Sequence, residues 1–279
     1  MEAGRVGASR SLLVHGVELR HWELGRGPAL LCLHETAATG EVWRPLAEAL
    51  DDDARTIAPD RRGWGSSGAP QQYSATTIEE QAEDAVALCE HLDAVPAVVC
   101  GAGLGAVVAL DLVVRRAGLA RAVVLIEPPL LAFVPEATEG LSADRQAIET
   151  AVAAGGPDAA FDLYLRGSLP YAGAGAGRIP DPIGAAARRR PLSLFAELAA
   201  VPGWSLRFSE LPGVQAPSRV VVSASTPPQL RRAAEELAAR LGGAELLRLG
   251  GEGLPHIGAA PELADAVRAL LSGPTPLGP

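Results

Sequence analysis

Short apolar runs alternate with stretches of helical periodicity along this chain from Leu12 to Leu271. A run of about five apolar residues is too short for a stable helix. Without polar alternation, it marks a strand buried on both faces. Ala29–Leu33, Arg55–Pro59, Ala97–Cys100, Arg121–Ile126, Arg219–Ser223 and Ala244–Leu249 fit that pattern. Ser11–Arg20 and His21–Leu24 read as an antiparallel pair ahead of them. Helical spacing fills the intervals: Glu41–Leu50, a helix capped by Thr76 or Thr77 and reaching about Asp93, Leu104–Arg116, Pro228–Leu241 and Pro261–Leu271. Glu79 and Glu80 fall in the first turn of the second of these, where the helix dipole favours carboxylates. Strands and helices in alternation predict an α/β domain, with a mostly parallel central sheet flanked by helices.

The rhythm stops at Leu130 and resumes after Pro217. Glycine and proline clusters there interrupt short helical pieces such as Ala143–Ala154 and Pro157–Leu165. We read this as a helical cap, residues 130–217, inserted into a core of residues 1–129 and 218–272, with 273–279 a flexible tail. Ligands of open parallel sheets bind at the C-terminal ends of the strands. Those ends carry His34-Glu35-Thr36, Asp60, Gly101–Gly105, Glu127, Ser225-Thr226 and His256. A cap over them encloses a pocket for an organic ligand.

Composition narrows the range of partners. With 48% hydrophobic and 20% charged residues over 279 positions, the chain reads as an ordinary globular protein with a sizeable core. A net charge of −9 argues against a nucleic-acid partner. No apolar run approaches the roughly 18 residues of a membrane span, and Met1–Arg10 has no signal-peptide core. Cys32, Cys89 and Cys100 read as reduced core thiols of a cytoplasmic protein, expected as a monomer or homodimer. Cysteines and histidines lack ligand spacing, so no metal is expected. Gly101-Ala102-Gly103-Leu104-Gly105-Ala106 is spaced G-x-G-x-G and comes after several β/α units, which argues against a dinucleotide cofactor.

Four local sequences occur in the order of a capped α/β-hydrolase. Leu31-Cys32-Leu33-His34 resembles the strand leading into the oxyanion loop, and Asp60-Arg61-Arg62-Gly63-Trp64-Gly65-Ser66-Ser67 resembles the D-x-R-G-x-G-x-S loop. Gly101–Gly105 stands at the nucleophile elbow, and Gly253-Leu254-Pro255-His256 at the catalytic histidine loop. The resemblance implies the α/β-hydrolase fold over roughly Leu12 to Leu271. Three departures accompany it. Gly103 replaces the serine, Glu35 follows His34 where glycine is usual, and Ala224–Pro228 lacks the usual aspartate.

A glycine offers no oxygen for attack, so acyl-serine chemistry is excluded. Glu127, at the end of a core strand, is expected to orient His256 as a catalytic acid–base dyad. The alternative for Glu127 is an anchor at the start of the cap. Glu35 has two readings, a group in the pocket or a salt bridge with Arg61 or Arg62. His34 reads as structural or as pocket-lining, and Trp64 as the pocket rim or the base of its loop. Thr36, Gly103 and Leu104 are expected to contact substrate. Asp60 organises its own loop, Ser66 and Ser67 lack elbow geometry, and Arg188–Arg190 form a solvated face or receive an acidic group.

Among atypical members, the degenerate triad resembles the bottromycin-type peptide epimerase. That resemblance implies epimerisation of an acidic residue in a modified ribosomal peptide, with the substrate able to serve as its own base. The other readings are a hydrolase whose His256 and Glu127 activate water directly, and an inactive protein that binds a peptide or bulky small molecule.

Overall fold

The computed structural model describes residues 8–71, 73–205 and 208–273. The expected tail therefore lies almost wholly outside the described residues, as do residues 1–7. The chain runs β1 (Ala8–Val14), β2 (Val17–Leu24), β3 (Ala29–Leu33), α1 (Arg44–Ala49), β4 (Arg55–Pro59), α2 (Ile78–His91), β5 (Ala97–Ala102), α3 (Leu104–Arg115) and β6 (Ala120–Ile126). It continues with α4 (Ala137–Leu165), α5 (Asp181–Ala187), α6 (Leu192–Leu198), β7 (Ser218–Ser223), α7 (Pro228–Arg240), β8 (Glu245–Leu249), α8 (Pro255–Gly258) and α9 (Ala260–Leu271).

The eight strands form one sheet in the order β1-β2-β4-β3-β5-β6-β7-β8. The β1–β2 and β2–β4 pairs are antiparallel and the rest parallel. Every residue of β3 and β5 is buried, which is what their unbroken apolar sequence requires. Two apolar cores lie on opposite faces. One contains residues of α1 and α9, the other residues of α2, α3 and α7. Thr77 caps α2, its hydroxyl accepting from the Glu80 N–H at 3.0 Å.

Two element boundaries differ from the sequence reading. The first hairpin turns at His15-Gly16, both at positive φ, so β2 begins at Val17 and not near His21. The polar residues between gave no sharp turn signal. The two expected cap helices belong to one longer element, α4, kinked where Gly155 and Gly156 leave helical geometry ahead of Pro157. Cys32 and Cys100 face each other in register across β3 and β5, and all three cysteines are free and buried. Burial raises their thiol pKa values, that of Cys89 to about 12. Among the described residues no helix is long and apolar enough to cross a membrane.

β4 lies on one side of β3 and β5 on the other, so the strand order reverses between β3 and β5. The crevice at such a reversal is where open sheets bind ligands. Here it receives the loop after β3 and the elbow after β5.

Candidate active site

The elbow is built for tight passage. A side chain at Gly101 would collide with the Gly105 carbonyl, and one at Gly105 with the Leu33 carbonyl. Both outer glycines thus serve strand–helix packing. Gly103, between β5 and α3, holds φ 52° and ψ −124°, a conformation that disfavours any side chain. A Cβ placed there would also lie only 2.7 Å from the Cβ of Glu35. The space above the elbow is already occupied, by the residue that breaks the usual oxyanion loop.

Glu35 follows β3 on a loop secured from below and from the side. His34 accepts the Arg61 backbone N–H on Nε2 at 2.9 Å, which leaves its Nδ1–H to donate to the Glu35 carbonyl at 2.7 Å. Burial, then the Arg61 guanidinium, pushes this imidazole well below its ordinary pKa, consistent with that neutral form. Arg61 Nε donates to the His34 carbonyl at 2.7 Å, and its guanidinium grips Glu197 and Gln81. Glu197 also accepts the Thr36 hydroxyl at 2.7 Å. A carboxylate of α6 therefore holds both the loop and the arginine beneath it.

The Glu35 carboxylate meets His256. Its Oε2 lies 3.5 Å from Nε2 of that ring, and the ring is fully buried. The Trp43 ring stacks on the imidazole with centroids 4.4 Å apart, fixing its plane. His256 sits in the short helix α8, behind the turn of Gly253 and Leu254. Neither Glu35 oxygen and neither ring nitrogen of His256 has a hydrogen-bond partner among the described residues. Burial would raise the Glu35 pKa, but the His256 charge and its contact outweigh it and hold the carboxyl below its ordinary range.

The expected Glu127–His256 dyad is not formed. Glu127, at φ 47° directly after β6, accepts from Arg178 at 2.9 and 2.5 Å and from the Thr226 hydroxyl at 2.6 Å. A bidentate guanidinium is a stronger partner for a buried carboxylate than an imidazole, and it takes the site. Arg178 also donates to the Gly253 carbonyl at 2.9 Å, as does Ser225 at 2.8 Å. Glu127 therefore bears on His256 indirectly, through the turn that carries it. Glu35 likewise forms neither anticipated salt bridge, because Arg61 pairs with Glu197 and Arg62 with Asp84 and Glu80.

A cavity of about 1040 Å³ opens over this pair. Glu35, Thr36, Gly103, Leu104, Glu127 and His256 line its floor, with many apolar side chains of residues 130–217 above. His34 and Trp64 do not line it. His34 is used up in its two hydrogen bonds, and Trp64 is buried beneath Phe161, ring centroids 6.1 Å apart. Asp60 accepts from the Gly40 and Ser66 N–H groups at 2.8 Å each, ordering its own loop. Arg188 pairs with Asp162 on an exposed face. Among the described residues no group of three or more histidine, cysteine or acidic side chains is placed to hold a metal ion. Arg178, Thr226, Glu197 and Trp43 were not legible as site residues. Only Thr226 had a sequence signal, its place at the end of β7.

Comparisons with known proteins agree with this architecture. A family model described as the alpha/beta hydrolase family matches residues 12–266. The magnesium-chelatase 30 kDa subunit of Rhodobacter capsulatus is 37% identical over 86 residues, 31% of this chain and 30% of that protein. An epoxide hydrolase of Caballeronia sordidicola is 32% identical over 121 residues, 43% of this chain and 37% of the relative. The chain thus spans well under half the length of these two curated relatives. Among solved structures, an epoxide hydrolase from Vigna radiata superposes with a TM-score of 0.75 at 19% identity, covering 96% of this chain and 99% of the other.

Proposed function

The chain belongs to the alpha/beta hydrolase family, and on that premise we propose that it hydrolyses a bulky, neutral, largely apolar electrophile, with Glu35 and His256 in place of a serine triad. One observation carries this reading. The Glu35 carboxylate occupies the space over Gly103 and faces His256 Nε2 at 3.5 Å on the floor of the cavity. An anion and a proton carrier thus stand where hydrolysis on this fold takes place, although the elbow has no hydroxyl. Buried polar groups left without partners in a cleft are a mark of functional rather than structural use.

The substrate class follows from size and charge. A volume near 1040 Å³ is at the upper end for organic ligands. The other two acids of the floor are neutralised, Glu127 by Arg178 and Glu197 by Arg61. No uncompensated charge is left there to attract an ionic substrate. A bulky small molecule therefore fits better than the acidic residue of a modified peptide. The relative with a stated activity is a hydrolase, which favours hydrolysis over the epimerisation that the sequence suggested.

The test is turnover of a panel of neutral aryl esters, lactones and epoxides by the full chain and by Glu35→Gln and His256→Gln. Hydrolysis by the parent and its loss in both variants is expected. Turnover undiminished in the variants would remove the pair from the chemistry. Tight binding without turnover would make this a binding protein. Deuterium from heavy water in recovered, unhydrolysed substrate would assign the pair to proton abstraction instead.

A further inference from the structure

We propose that Glu35 is itself the nucleophile, and that hydrolysis passes through an ester between its carboxylate and a saturated carbon of the substrate. The proposal rests on the hydrolase reading above and assigns its first step. Three observations lead to it.

The first is position. Glu35 and a side chain at residue 103 exclude one another, since their Cβ atoms would be 2.7 Å apart. The group that enters the elbow from the β3 side therefore replaces the group that would enter from β5. The second is the state of the carboxylate. It lines the cavity and has no hydrogen-bond donor on either oxygen among the described residues, so its lone pairs face the ligand space. Its lowered pKa makes it a poor base near neutrality but leaves it fully anionic, which suits attack on carbon better than proton abstraction. The third is what surrounds it. His256 Nε2 is adjacent, and Gly103, the residue ahead of the twelve-residue helix α3, packs against Glu35. The positive end of that helix is suited to the negative charge that develops at the glutamyl carbon.

The steps balance without a further reactant. A Glu35 oxygen forms a bond to the substrate carbon, and the carbon–oxygen bond to the leaving oxygen breaks with its electron pair going to that oxygen. Protonated His256 supplies the proton, so the leaving oxygen departs as a hydroxyl. Neutral His256 then takes a proton from water, and the hydroxide adds to the glutamyl carbonyl carbon. Collapse of that intermediate expels the alkoxide, which takes the remaining proton of the added oxygen. Glu35 is again a carboxylate, now with one oxygen from water, and His256 is again protonated. Attack at a saturated carbon gives a simple ester, whereas attack at an acyl carbon would give an anhydride. The favoured substrate is therefore a strained cyclic ether on a bulky apolar body.

The experiment uses the full chain and trans-stilbene oxide in water enriched in oxygen-18. After many turnovers, the peptide containing Glu35 is expected to carry one heavy oxygen, located on that residue by fragmentation. In ordinary water, a single turnover of the labelled protein should pass heavy oxygen to the diol. His256→Gln should stall as an adduct of the whole epoxide on Glu35. Diol formation with no label at Glu35 would overturn the nucleophile and leave the hydrolase reading intact, with Glu35 acting on water. Neither diol nor label from the parent protein would overturn the proposal for this substrate class. Loss of all turnover on the wider ester and lactone panel is the separate failure of the hydrolase reading.

Discussion

Glu35 and Glu127 are two buried carboxylates on the floor of one cavity, at the ends of strands that flank β5, and they are provided for in opposite ways. Glu127 is saturated. Arg178 binds both its oxygens, Thr226 caps one, and its backbone N–H donates to the Val221 carbonyl at 3.0 Å. Glu35 has a single contact at 3.5 Å and two otherwise bare oxygens. Burying an anion is costly unless partners replace water. The protein meets that cost fully at Glu127 and leaves it largely unmet at Glu35. A satisfied carboxylate holds structure together, and an unsatisfied one is available to a ligand.

The largest effect that separates the two is on turnover. Glu35→Gln is expected to lower kcat/KM by roughly 10³-fold or more, within the range for removal of a directly acting group. Folding stability should hold or rise, because the bare anion is gone. Urea unfolding beside steady-state kinetics checks both, and a well-folded, fully active variant would end the distinction. Arg178→Met should do the reverse and cost about 3–5 kcal/mol of stability by stranding Glu127. Adding Glu127→Gln to it should recover much of that loss, as read from unfolding midpoints.

Gly103→Ser tests the shared space. Strain at φ 52° and overlap with Glu35 should cost roughly 1–3 kcal/mol and abolish turnover without creating a serine esterase. Combining it with Glu35→Gly should relieve the overlap portion of the cost. The pH dependence is milder. The Glu35 pKa is lowered from its ordinary 4.5, so the stabilisation from its contact with His256 is complete above that value. It is lost only as pH falls through the lower folded value. Activity should therefore persist to below about pH 4.5, and Glu35→Gln should remove that acid limb of the stability profile. Thr226→Val is expected to be the smallest, about 1 kcal/mol for one hydrogen bond of three on Glu127, with turnover little changed.

The contrast also marks how far the chain could be read as a string of residues. Its strands, its helices and the position of the elbow were legible, because burial imposes a period of two or 3.6 within a few residues. Gly103 was legible as the loss of a hydroxyl, and Glu35 as an intrusion into a loop that usually carries glycine. The partner of His256 was not. The acid at the end of β6 matched the expected pattern, yet its guanidinium partner comes from residues 130–217, where no periodicity pointed to it. His34 and Trp64 sat beside the right motifs, but packing turned both away from the cavity.

The sequence by itself determined which chemistry is absent, the order of the sheet-forming segments and which residues reach the rim of the sheet. These depend on residue identity and on local backbone hydrogen bonding. Only the tertiary structure decided which carboxylate is neutralised and which is left facing the imidazole. That choice depends on where side chains from distant segments meet in space, and on which donor offers a buried anion the better hydrogen bonds.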